Sequence, residues 1–508
     1  MALARSFSVG LVGLDGQVVE VEADLALGLP GLSVIGLPDA ALAEARDRVR
    51  AAVVNSGEQW PQRRITLALS PATLPKRGSG FDLALAAGVL AANGAVPADA
   101  LLGRVLLGEL GLDGKVRPVP GVLPAVLTAV RAGFERVVVP VENVREARLV
   151  PGVTVVGAAS LRTLVLVLRG EDAGDEPGDP PRGLPAPSAL DLGDVAGQAA
   201  GRAAVEIAAA GGHHLFLLGP PGAGKTMLAE RLPGLLPPLG VDDALDVTAI
   251  HSVAGRLPSS APLVTVPPFQ DPHHTATRAS VIGGGSGVAR PGAASLAHRG
   301  VLFLDEAPEF SAGVIDALRQ PLERGIVKIA RVGGTATYPA RFTLVLAANP
   351  CPCGQDETRC LCPPQVRRRY LGRLSGPVLD RVDLHVRVPR ITRKEMLADE
   401  GMGESSATVA VRVAVAREAA ALRFSGTPWR VNADVPATEL RRRWPVPRSA
   451  TRHAEEALDT GALTARGYGR VLSVAWTLAD LAGLARPGEP QVDMALGYRG
   501  GQPALAAA

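Results

Sequence analysis

Residues Gly219 to Thr226 read GPPGAGKT, and no other stretch limits the fold as strongly. The stretch follows the apolar run HLFLL (His214–Leu218) and precedes the helix-like MLAERL. A glycine-rich loop between a buried strand and a helix lets backbone N–H groups close around a phosphate, with the positive end of the helix behind them. In such a loop Gly219, Pro220, Pro221, Gly222, Ala223 and Gly224 form the cradle. Lys225 reaches the β- and γ-phosphates and Thr226 ligates Mg²⁺. Lys225 is one of only five lysines in a chain that otherwise takes its positive charge from arginine. The motif predicts ATP and Mg²⁺ as ligands, and an α/β core built on a parallel sheet.

VLFLDEA, about 80 residues further on, supplies a second element. Its apolar strand ends in Asp305 and Glu306. Asp305 is placed to hold Mg²⁺ and Glu306 to polarise the attacking water. FTLVLAANP ends a third strand at Asn349, an amide that can orient that water or simply open a turn before Pro350. SGPVLDRVDLHV sets Arg381 between two aspartates. Its guanidinium can neutralise transition-state charge on a nucleotide held by a neighbouring subunit, or pair locally with Asp380 or Asp383.

The segment GEDAGDEPGDPPRGLPAPS is acidic and rich in proline and glycine, which is linker chemistry. It divides an amino-terminal domain (1–170) from the rest, with the linker at 171–190. The nucleotide-binding core is expected over 191–390 and a helical carboxy-terminal domain over 391–508, where apolar residues take helical spacing. A hydrophobic content of 47% against 20% charged residues fits a soluble globular protein. No run approaches the ~18 apolar residues of a membrane span, and LALAAGVLAANGAV reads as a buried helix. Without an export signal at the amino terminus, the chain is expected in the cytoplasm and away from membranes. A net charge of +3 is too small to declare a nucleic-acid partner, which must be argued from local patches.

All four cysteines fall within CPCGQDETRCLC, directly after Asn349 and Pro350. In a reducing compartment such a cluster points to metal before disulfides. Cys351, Cys353, Cys360 and Cys362 supply four thiolates to one tetrahedral, structural Zn²⁺ that would order the loop, with free or redox-active thiols as the alternative.

Taken in order, these motifs resemble the AAA+ ATPases, closest to the magnesium-chelatase-like branch and its ComM (YifB) competence-associated family. PFQDPHHTATRASVIGGG, PGAASLAHRGVLFLDE, NPCPCG and SGPVLDRVDLHV carry the resemblance, which covers nearly the whole chain. It implies a homo-hexameric ring with ATP between subunits and Arg381 as the arginine finger. DLGDVAGQ corresponds to the family's segment near the adenine. LTARGYGRVL matches the second sensor segment, making Arg466 the candidate, with Arg470 one turn later still open. PKRGSGFDLALAAGVL and the stretch GRVLLGEL to VVVPVEN resemble the proteolytic domain of Lon-type proteases. In that alignment Gly80 occupies the nucleophile position, beside Ser79, and Leu123 the lysine position. A Lon-like α+β fold without peptidase chemistry is expected, since leucine cannot activate a hydroxyl.

For DNA, single-stranded or branched, the evidence is local. KIARVGGTATYPARF reads as a β-hairpin turning at Gly333–Gly334, and in AAA+ helicases a hairpin so placed faces the pore. Lys328 and Arg331 are its cations, and Arg278 and Arg290 lie in the glycine-rich DPHHTATRASVIGGGSGVARPG. Such cations grip phosphates without reading sequence, though each can equally be a solvated arginine or lysine. His273 and His274 can form a metal pair, but adjacent histidines on a strand point apart, and both are read as structural. The function expected is a DNA-acting ring motor, a branch-migration helicase in recombination or transformation. The rivals are the motor subunit of a metal chelatase and a nucleotide-gated scaffold.

Overall fold

The computed structural model describes residues 2–36, 40–72, 78–178, 190–258, 262–285, 289–331, 334–355, 360–393, 395 and 403–500. Most of the expected linker (179–189), the middle of the cysteine loop (356–359) and the tip of the hairpin (332–333) lie outside them.

The amino-terminal region builds a seven-stranded mixed sheet. Its strands are β1 (Ala2–Val12), β2 (Asp15–Ala26), β3 (Gly31–Ile35), β4 (Arg64–Ser70), β5 (Arg104–Leu106), β8 (Arg136–Pro140) and β9 (Thr154–Ala158). The order is β3-β4-β2-β1-β5-β8-β9, and β6 (Glu109–Leu110) with β7 (Val116–Arg117) forms a separate small hairpin. Helix Asp82–Ala92, the expected buried helix, is buried at every position. The first residues of the expected linker run along β9, with the Asp175 amide donating to the Gly157 carbonyl at 2.9 Å.

The core sheet follows from four-residue apolar runs whose alternate side chains face opposite sides. Its strands are β10 (Leu215–Leu218), β11 (Phe269–Gln270), β14 (Val301–Leu304), β17 (Thr343–Ala348) and β18 (Leu384–Arg387), all parallel in the order β11-β14-β17-β10-β18. Leu215, Leu217, Val301, Phe303, Val345 and Ala347 face the carboxy-terminal helices Ser406–Arg423 and Ala465–Leu481, with which they share one apolar core. Phe216, Leu302, Leu304, Leu344 and Leu346 face the other way, toward a second hairpin. That hairpin pairs β15 (Ile326–Arg331) with β16 (Gly334–Pro339). Gly334 pairs with Arg331 as the first residue of β16, and Gly333 of the expected turn lies outside the described residues. A smaller hairpin, β12 (Gly283–Gly284) with β13 (Arg290–Pro291), completes the strands. No described helix is long and apolar enough to cross a membrane.

Contacts that tie the amino-terminal domain to this core include the Gly121 amide donating to the Ser252 carbonyl at 3.2 Å and two more. Buried Glu146 accepts from the Leu123 amide at 2.8 Å, from Asn143 at 3.1 Å and from the hydroxyl of Ser252, on the core helix Val241–Val253. The β1–β2 turn lies against β16, where a Cβ on Gly13 would stand 3.3 Å from Ala336 and Thr337. At φ +70° that turn suits glycine in any case.

Candidate nucleotide site and its surroundings

In a parallel sheet the loops leaving the carboxyl ends of the strands share one edge, and ligands bind there beside the strand from which the order diverges. β10, β14 and β17 end in Gly219, Asp305 and Asn349, so the order β14-β17-β10 brings all three loops together. Lys225 begins helix Lys225–Arg231 and turns back into the loop. Its ammonium donates to the carbonyls of Gly219 at 2.6 Å and Pro220 at 3.0 Å, and to the side-chain oxygen of Asn349 at 3.0 Å. Burial lowers its pKa, against the pull of Asp305 and Glu306. The Thr226 hydroxyl donates to Asp305 at 2.9 Å, which puts the two expected Mg²⁺ ligands in contact. Glu306 holds a left-handed backbone at φ +48°, uncommon for a residue with a side chain, and its amide donates to Asp305 at 2.8 Å. Gln198, at the end of DLGDVAGQ, clamps the loop by donating to the carbonyls of Ala223 at 2.9 Å and Pro389 at 2.6 Å.

One neighbour of this edge was not expected. His274 sits four residues beyond β11, and its Nδ1 lies 3.2 Å from the Glu306 carboxylate. The two histidines are not on a strand and do not point apart. Their rings lie 4.1 Å centroid to centroid at 34°. The strand that delivers them is only two residues long and pairs with β14, too short to register as a pattern in sequence.

Arg381 and Arg466 lie at the opposite edge. Arg381 precedes β18, and with Arg466 and Arg470 it lines a cavity of about 780 Å³ walled by the amino ends of β10, β14 and β17. A four-residue strand spans about 13 Å, so neither arginine reaches the phosphate loop of its own chain. Arg381 pairs with Glu323, on helix Arg319–Arg324, rather than with Asp380 or Asp383. Burial lowers its pKa, and so do the nearby Arg466, Arg319 and Arg470. The flanking aspartates hold the two candidates for the second sensor instead: Asp380 pairs with Arg466 at 2.9 Å and Asp383 with Arg470 at 3.2 Å.

The cysteine loop leaves the catalytic edge after Asn349. The four Sγ atoms all lie within 4.8 Å of one another, and Cys353 and Cys360 are 3.6 Å apart. A ZnS₄ tetrahedron with bonds of about 2.3 Å has S···S edges of about 3.8 Å, so the set fits a metal of that kind. The Gln355 amide and the neighbouring thiols pull Cys353 down to about 7, favouring the thiolate a metal needs. The loop also touches the phosphate loop, since a Cβ on Gly354 would stand 3.3 Å from Pro221.

Of the residues expected on DNA, Arg278, Arg290, Lys328 and Arg331 are all exposed. Arg278 begins helix Arg278–Ile282, which leads into β12, and the hairpins that carry the other three adjoin: a Cβ on Gly284 would stand 3.3 Å from the Arg331 guanidinium. In the amino-terminal domain the Ser79 hydroxyl donates to Glu109. Leu123 is fully buried in the apolar core.

Three family profiles cover most of the chain: "Magnesium chelatase, subunit ChlI" over residues 191–396, "Subunit ChlI of Mg-chelatase" over 21–143, and "Magnesium chelatase, subunit ChlI C-terminal" over 403–499. The competence protein ComM of Haemophilus influenzae is 39% identical over 504 residues, which are 98% of each chain. The chain belongs to the ComM/YifB family of magnesium-chelatase-like ATPases. A mycobacterial relative, protein Rv2897c of Mycobacterium tuberculosis, is 56% identical over 500 residues, 98% of this chain and 99% of its own. This ComM/YifB member also shares a stretch with a protease. A Lon protease of Trichlorobacter lovleyi is 25% identical over 145 residues, 27% of this chain and 18% of that protein.

Proposed function

We propose that this ComM/YifB-family chain is an ATP-hydrolysing ring motor that acts on DNA, as a branch-migration helicase in recombination or in the uptake of foreign DNA. The observation that carries the reading is the division of the site. Lys225, Thr226, Asp305, Glu306 and Asn349 meet at one edge of the sheet, while Arg381 and Arg466 stand at the other. Copies arranged head to tail, six by family resemblance, would bring the second set onto a neighbour's nucleotide. Thr226 and Asp305 would hold Mg²⁺, which neutralises phosphate charge when bound. Glu306 accepts the proton of the attacking water and Asn349 orients it. The neighbour's Arg381, released from Glu323, meets the charge that develops on the γ-phosphate.

The nucleic-acid half rests on four exposed cations, three on two adjoining hairpins and Arg278 on the short helix leading into one of them, and on the printed name of ComM, a competence protein. A structural Zn²⁺ on Cys351, Cys353, Cys360 and Cys362 completes the proposal. The names of the matched profiles favour a second reading, the motor subunit of a magnesium chelatase. ATPase measurements with no DNA, single-stranded DNA and branched DNA decide between them. Stimulation by DNA is expected, and turnover indifferent to every DNA tested would remove the DNA-motor reading.

A further inference from the structure

Three of the chain's four tryptophans gather in the carboxy-terminal domain. Trp444 follows the exposed run Arg441–Arg443 that ends helix Ala437–Arg443. Its ring meets Phe424 at 4.9 Å and Trp429 at 6.2 Å, both edge to face, and its carbonyl accepts from the Trp476 indole at 3.2 Å. Beside these rings lies a cavity of about 380 Å³ whose walls include Trp444, Trp476, Arg423, Arg443, Asp480 and Arg486. It shares no wall residue with the cavity that holds Arg381 and Arg466.

The charge of this cavity is positive. Asp480, the one acid in its wall, is already neutralised: Arg423 pairs with it and the Asn432 amide donates to it at 2.8 Å. The Arg423 guanidinium lies 4.2 Å from the centroid of the Trp476 ring. Arg443 lies over Trp429 at 5.4 Å and shares Glu439 with Arg442. Arg486 is exposed and makes no ion pair among the described residues. Its turn is held at the end of helix Ala465–Leu481, where Gly483 takes φ +66° and the Leu484 amide donates to the Ala479 carbonyl at 2.8 Å. An inorganic anion would leave the rings unused, and an apolar ligand would leave the guanidinium groups unused. A flat π-system that carries a phosphate uses both. The volume is at the small end for ligand sites, enough for one such unit and too little for a duplex.

We propose that this cavity binds one unstacked nucleotide of a single strand, with its base against Trp444 and its phosphate on Arg486 and Arg443. Arg441 and Arg442 precede Arg443 in the chain and are exposed, so positive charge continues beyond the cavity, as a strand requires and a free nucleotide does not. The inference needs neither the hairpin cations nor ATP hydrolysis, and it stands apart from the motor reading above.

The test follows the tryptophan fluorescence of the full chain during titration with oligothymidylate and, separately, with dTMP. Saturable quenching by oligothymidylate is expected, with dTMP at least about tenfold weaker. Arg486→Ala should weaken the oligonucleotide about fivefold and reduce the slope of log affinity against log salt by about 0.7, the share of one phosphate contact. Arg486→Lys should restore both. Trp444→Leu should weaken binding about tenfold through the lost stacking, and if thermal melts show that variant unfolded, the Arg486 pair decides. Binding of dTMP as tight as that of the strand, and weakened by Arg486→Ala, keeps the pocket and assigns it to free nucleotides. No quenching by either probe, or an affinity and salt slope that Arg486→Ala leaves unmoved, overturns the proposal. Stimulation of ATPase by DNA is read separately, so either inference can fail while the other stands.

Discussion

The Lys225 ammonium and the Asn349 side-chain oxygen meet at 3.0 Å across neighbouring strands, joining the phosphate loop to the end of β17. A γ-phosphate entering the loop competes with Asn349 for that ammonium and leaves the amide to turn toward water. Lys225→Ala should therefore weaken ATP binding itself. Glu306→Gln should leave binding intact and reduce turnover at least ~100-fold, because the water loses its proton acceptor. Nucleotide titration beside steady-state ATPase separates the two, and normal hydrolysis by the Glu306 variant would refute its assigned role.

The opposite-edge placement of Arg381 makes a stricter demand. Arg381→Ala and Glu306→Gln should each be inactive alone. Mixed in equal amounts and allowed to exchange, they should recover up to about a quarter of parental activity, since random neighbours complete that share of the interfaces. No recovery in rings shown to contain both variants would mean that the two residues do not serve one composite site.

Protein prepared without chelator should carry about one zinc per chain, the number four thiolates satisfy. Cys353→Ser with Cys360→Ser should release it. Because Gly354 lies against Pro221, nucleotide affinity should fall as well as turnover, beyond what the loop's connection to Arg381 alone would cause. Elemental analysis finding no metal in carefully reduced protein would dispose of the zinc.

No peptidase activity is expected, and Ser79→Ala should leave ATPase unchanged. Leu123, at the lysine position, is sealed in the core, so the amine that would activate a hydroxyl in a Lon-type site is missing. Peptide cleavage that disappears in Ser79→Ala would make the first domain a protease.

Glu146→Ala should destabilise the chain by about 2–4 kcal/mol, because it leaves the Leu123 amide, Asn143 and the Ser252 hydroxyl without their acceptor. Combined with Ser252→Ala the two losses should be less than additive in thermal melts, since they share one bond across the domain boundary. Full additivity would show that the contact carries no coupling.

The strands around HLFLL, VLFLDEA and FTLVLAANP were legible because each is a buried apolar run ending in a polar residue, and a parallel sheet aligns such ends. The opposed arginines were legible in part: Arg381 precedes the apolar run of β18 in sequence, but that the run joins the sheet parallel to β10, and that Arg466 packs beside Arg381, depends on the fold. His274 was misread because β11 is two residues long and β-spacing was assumed beyond it. Glu323 escaped notice because it is one of many charged residues on a short helix, and only packing sets it beside Arg381. The cysteine cluster was legible as a cluster, but not its seat against Pro221, which depends on how the loop folds back.

The glycine turn resting on β16 has a mechanical consequence. Ala336 and Thr337 belong to the hairpin whose far strand carries Lys328 and Arg331, and the amino-terminal sheet leans on it at Gly13, which adds no side chain of its own. A stroke of that hairpin along a strand must push the whole seven-stranded platform or slip beneath it. With Glu146 bolted to the core through Ser252, the platform can neither follow freely nor lift away. In the DNA-motor reading proposed above, the amino-terminal domain would act as a brace that limits the hairpin's travel, and so would help to set the length of each step.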